Sequence, residues 1–136
     1  MTRLLLLTFP HFGKNLINSA AHVLARPLDD IGLVQILPND KTEDINKQLM
    51  AKINEHDNSN GVLILCDIYG ATHCNIACQI IEQGKIEMVS GLNLPMLIRA
   101  INYINEPVSR LSEIAAKGGT ESIKIVTSKN QCDCPK

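Results

Sequence analysis

The stretch GVLILCDIYGATHCNIA, Gly61 to Ala77, decides how the chain folds. Its first six residues are an unbroken apolar run, the pattern of a strand covered on both faces of a parallel sheet. The run ends at Asp67 in a turn containing Gly70, and a helix is expected from about His73 to Gln83. Asp67 therefore stands at the carboxyl edge of a sheet, where α/β folds bind their ligands.

The same strand and helix alternation repeats on either side. Arg3 to Thr8 is an apolar β-type run, and Leu16, Ala20, Val23 and Leu24 after it share one helix face. Gly32 to Leu37 is a second strand before Pro38. Asp40 with Glu43 suggests a capping box for a helix carrying Ile45, Leu49 and Ile53 on one side. Ile86 to Val89 gives a fourth strand, Asn93 can cap a helix starting near Pro95, and Pro107 opens a last helix expected to stop at Gly118-Gly119. Ser122 to Thr127 is a final β-like run, and the tail from Ser128 to Lys136 is polar. The fold expected is α/β: a doubly wound, mostly parallel sheet of four strands with helices on both faces, plus a final edge strand. Residues 1–127 form the domain and 128–136 a flexible tail. Ligands would meet the loops Thr8 to Gly13, Pro38 to Thr42, Asp67 to His73 and Ser90 to Pro95.

Composition narrows the function. With 136 residues and 45% hydrophobic content, the chain can bury a core without metal or disulfide staples. Its 13 Lys and Arg against 14 Asp and Glu contain no cationic run able to neutralise a phosphate backbone, so nucleic acid is not an expected partner. Leu4 to Leu7 is too short for a signal-peptide core or a membrane span, and a cytoplasmic protein with reduced thiols is expected. Five cysteines are an odd number, three of them (Cys66, Cys74, Cys78) in strongly patterned segments.

Two residues stand out chemically. His11 lies near a helix start, where free amides and the helix dipole favour an anion, so its imidazole could accept a phosphoryl group; it could also be an ordinary loop histidine. Asp67 could orient a histidine ring nitrogen, act as a phosphoacceptor itself, or merely cap a turn. The phosphoacceptor reading needs acidic residues after the first strand to hold magnesium, and Thr8, Phe9 and Pro10 stand there instead. Gly13-Lys14-Asn15 fails as a phosphate-binding loop, because Thr8 replaces its first Gly and Asn15 its Ser or Thr, and no GxGxxG occurs. No cofactor is expected. His73, Cys74 and Cys78 with His11 raise a metal site, but small cysteines on a helix face belong more often to a core, and no metal is expected. Cys132 and Cys134 form a CxC pair in the tail, and His22 and His56 fit a solvated surface.

LLLLT, GVLILCDIYGATHCNIA and SGLNLPML (Ser90 to Leu97) together resemble the enzyme IIA domain of the mannose and fructose family of the bacterial sugar phosphotransferase system. The resemblance implies a cytoplasmic homodimer that exchanges a last antiparallel strand, matched by Ser122 to Thr127. It implies a phosphohistidine carrier that takes phosphate from an HPr-like phosphocarrier and passes it to an enzyme IIB partner, with no membrane insertion of its own. Asp67 matches the carboxylate that orients the reactive histidine. Thr8, Gly70, Ala71, Thr72 and Asn93 are the implied phosphate-binding positions. The family's reactive histidine falls on Phe9 and its following glycine on Pro10, while His73 stands where proline is common. Three readings follow: His11 takes over as acceptor, His73 does, or the domain has lost phosphotransfer and serves as a regulatory or binding module.

Overall fold

A computed structural model of the chain describes residues 1–132. In order they form β1 (Arg3–Thr8), α1 (Phe12–Leu24), β2 (Gly32–Gln35), α2 (Thr42–Asn54), β3 (Val62–Cys66), α3 (Thr72–Cys78), β4 (Ile86–Ser90), α4 (Leu94–Asn102) and α5 (Val108–Glu121), followed by a short 3-10 turn, Lys129–Gln131. The four strands make one parallel sheet in the order β2-β1-β3-β4. Alternation sorts its leucines. Leu4, Leu6, Leu63 and Leu65 face a core closed by α1, α4 and α5, while Leu5, Leu7, Val62 and Ile64 face one closed by α2 and α3. Each fully buried Leu or Ile contributes about 1.5–3 kcal/mol by transfer from water, so the two central strands anchor the domain.

The strand order reverses between β1 and β3. Crossovers leaving these two neighbours run to opposite sides, which opens a crevice beyond Thr8 and Cys66. Asp67 therefore sits at the switch point.

Local departures from the expected elements have identifiable causes. α2 starts one residue later than a box on Asp40 would place it: Asp40 accepts from Leu37 N at 2.9 Å and closes a turn, and Asp44 accepts from Lys41 N at 3.1 Å. α3 stops at Cys78 rather than continuing to Gln83, because Glu82 and Ile86 pair across a tight turn holding Gly84 at φ 80°. α5 runs through Gly118-Gly119 to Glu121. Those glycines are packing residues: a Cβ at Gly118 would lie 2.7 Å from Arg99 Cβ, and one at Gly119 would lie 2.9 Å from Met96 Cε. The final edge strand is absent among the described residues. Ser122 caps α5, and the segment after it pairs with neither sheet edge, leaving Ile123, Ile125 and Val126 exposed. In the tail, Gln131 Oε1 accepts from Thr127 and Ser128 backbone amides, while Cys134 lies outside the described residues.

Candidate functional site

The site is built on the turns after β1 and β3. Gly70 adopts φ 91°, a left-handed conformation that glycine takes without a Cβ penalty, and turns the chain into α3 through Ala71, the N-cap residue, and Thr72. That turn brings His73 back under the strand end. Its Nε2 lies 2.6 Å from Asp67 Oδ1, and the two side chains are only 2% and 7% exposed.

Asp67 has a full set of donors. Oδ1 also accepts from Ile68 N at 2.9 Å, and Oδ2 accepts from Phe9 N at 2.8 Å. A carboxylate with these partners fixes His73 as the tautomer that donates from Nε2. The bond is charge-assisted and short. Phe9 then packs its ring on His73 edge to face, with centroids 4.8 Å apart and planes at 77°. Phe9 thus forms an aromatic lid over a buried imidazole.

The β1 to α1 turn is tied internally. Thr8 is buried, and its Oγ1 accepts from Gly13 N at 3.0 Å while donating to Phe9 O at 2.9 Å. Gly13 is required by this approach, since a Cβ there would meet Thr8 Oγ1 at 2.6 Å. His11 occupies the N-cap of α1 with φ 70° and makes no side-chain capping bond. Its ring is exposed, and no hydrogen bond or ion pair joins it to Asp67 among the described residues. Of the two candidate histidines, only His73 meets Asp67.

The remaining candidates lie around this crevice. Gly70 and Thr72 are exposed and Ala71 half-buried. Asn93 caps α4, accepting from Met96 N at 2.9 Å and donating to Gly119 O at 3.3 Å. Next to it, Leu92 N donates to Cys66 O at 3.0 Å, which joins this turn to the end of β3. The amides of Phe9 and Ile68 were not legible in the sequence, because a backbone donor has no residue-type signal.

Cys66, Asp67 and His73 present ligand atoms within 4.8 Å of one another, a different set from His73, Cys74, Cys78 and His11. Two ligands on one zinc ion stand roughly 3.3 Å apart given bonds of about 2.0 Å, so the 2.6 Å Asp67–His73 pair would have to open to admit one. Burial pushes the Cys66 thiol far above its ordinary value, and the adjacent Cys74 adds to the shift. The group is a hydrogen-bonded network, with Cys66 as a protonated neighbour.

The rim of the crevice is apolar. Phe9, Phe12, Ile68 and Tyr69 are 49%, 42%, 54% and 74% exposed, a cluster of large side chains on turns that a solvated loop would not need. No helix among the described residues is long and apolar enough to cross a membrane.

The sequence profile of the family described as PTS system fructose IIA component matches residues 4–118. The chain is 26% identical over 112 residues to the PTS system mannose-specific EIIAB component of Escherichia coli (strain K12), which covers 80% of this chain and 35% of that protein. It thus spans about a third of the length of that relative. In three dimensions it is similar to the mannose/sorbose specific IIA subunit of the phosphotransferase system from Enterococcus faecalis, with TM-score 0.83 and 24% identity over 99% of this chain and 97% of that one. The phosphotransferase system component EIIA from Streptococcus agalactiae gives TM-score 0.81 and 20% identity over 97% and 100%. Both solved structures share this fold.

Proposed function

The chain belongs to the PTS system fructose IIA component family, and from that premise we propose that it is a IIA module which docks phosphotransferase partners without carrying phosphate on an Asp67-oriented histidine. The observation that carries this reading is the buried Asp67–His73 pair beneath Phe9. In-line phosphoryl transfer needs a nucleophilic nitrogen presented to the donor at about 3–3.5 Å with its lone pair aligned. His73 is 1% exposed, so a phosphocarrier cannot reach it in this arrangement. Phe9 has no lone pair to offer. What the edge retains is a binding surface: Phe12, Ile68 and Tyr69 around the lid suit a protein partner of the HPr or IIB kind, which buries aromatic and aliphatic anchors.

A second reading has one specific observation behind it. His11 is exposed at the start of a 13-residue helix and held at φ 70°, a strained backbone of the sort that functional sites retain. In that reading His11 is the acceptor, without help from Asp67.

Intact-mass measurement after incubation with phosphoenolpyruvate, enzyme I and HPr separates the two. We expect no phosphoryl addition, together with HPr binding that weakens on Tyr69→Ser. Addition of one phosphoryl group that disappears in His11→Ala would replace this conclusion with the second reading.

A further inference from the structure

One face of the sheet carries a group of sulfur atoms that the phosphotransfer chemistry leaves unused. Cys74 is fully buried on α3, and its Sγ lies 3.9 Å from Sδ of Met88 on β4. Cys78 follows one turn on, at the end of the helix, with its thiol beside that of Cys74 and open to solvent. The i, i+4 spacing puts both thiols on one face of α3. Sheet register brings the thioether to them. Met88 pairs with Ile64, which faces the core closed by α2 and α3, and Met88 packs against that same core from the half-buried edge strand.

Spacing and donor type together define what fits. An ion with bonds of about 2.3 Å to three sulfurs in one plane holds them about 4.0 Å apart, and the Cys74–Met88 separation already matches. Zinc takes thiolate, imidazole and carboxylate ligands, so a thioether in the set points to a softer ion. We propose that Cys74, Cys78 and Met88 bind one Cu(I) ion. The ion replaces the two thiol protons, which pass to solvent, and Met88 completes the plane as a neutral ligand. Cys78, exposed at the end of α3, is the point of entry. Cys66 lies outside the set: it is fully buried, and its Sγ is 3.8 Å from Asp67 Oδ1, where a thiolate would meet a like charge. The Asp67–His73 pair does not have to open. The inference is independent of the phosphotransfer reading.

The test supplies Cu(I) as its bicinchoninate complex, under argon with ascorbate, to the full chain and to a Cys132→Ser/Cys134→Ser variant that removes the competing CxC pair. We expect that variant to take one Cu(I) per chain from the chelator, with X-ray absorption showing sulfur neighbours alone. Within the same background, affinity should fall about tenfold in Met88→Leu and about a hundredfold or more in Cys78→Ser, be lost in Cys74→Ala, and stay unchanged in Cys66→Ala. No copper retained by the tail variant, nitrogen or oxygen neighbours in the spectrum, unchanged affinity in Met88→Leu, or zinc bound as tightly as Cu(I) would overturn the proposal. Should Cys74→Ala fail to fold, the exposed Cys78→Ser and the volume-conserving Met88→Leu decide it.

Discussion

Two turns at one edge of the sheet treat a histidine in opposite ways. On the β3 to α3 turn, His73 is buried and donates to Asp67 at 2.6 Å. On the β1 to α1 turn, His11 is exposed, held in a left-handed conformation, and unconnected to that carboxylate. Asp67 is filled from its own turn by His73 and Ile68 N, so all that β1 contributes to it is the amide of Phe9. A histidine oriented by a carboxylate must also be reachable before it can accept phosphate. Access decides, and here the oriented ring is closed while the open ring is not oriented.

The comparison can be broken most sharply at Asp67. Asp67→Ala removes the acceptor for two backbone amides, a buried imidazole and, more weakly, the Cys66 thiol, and should lower stability by about 2–4 kcal/mol in urea unfolding. A loss under about 0.5 kcal/mol would mean the network is not formed in solution. His73→Ala should cost about 2–3 kcal/mol from the lost bond and the hole under Phe9, whereas His11→Ala should stay within about 0.5 kcal/mol of wild type. Equal effects at the two histidines would erase the distinction between the turns. The smallest change is a gain. His11→Gly relieves the φ 70° backbone at the N-cap, and a rise of about 0.5 kcal/mol in unfolding free energy is expected after the added entropy of the unfolded chain.

Much of this architecture is legible in the sequence. Gly61 to Cys66 and Arg3 to Thr8 read as strands because burial on both faces removes polar alternation, and Asn93 reads as a cap because its side chain can bond the amide three residues on. Gly118-Gly119 misled, since the same residue type that stops a helix also lets two helices approach. Ser122 to Thr127 has the alternation of a strand, but in the single chain it pairs with neither β2 nor β4, the two edges of the sheet. At the site, Asp67 was legible from its position at a strand end. The choice between His11 and His73 was not, because it depends on how far the Gly70 turn folds His73 back beneath Phe9, a property of φ and ψ rather than of residue type.

The central claim is that Asp67 remains a competent orienting group that His73 and Phe9 withhold from phosphotransfer. Phe9→His combined with His73→Pro vacates Asp67 Oδ1 and offers it an exposed imidazole, with proline placed in the first turn of α3, where its missing N–H is tolerated. Intact mass of wild type and double variant, treated side by side with phosphoenolpyruvate, enzyme I and HPr, tests this directly. We expect one phosphoryl group on the double variant and none on wild type; a phosphorylated wild type, or a double variant that stays unmodified, would contradict the account.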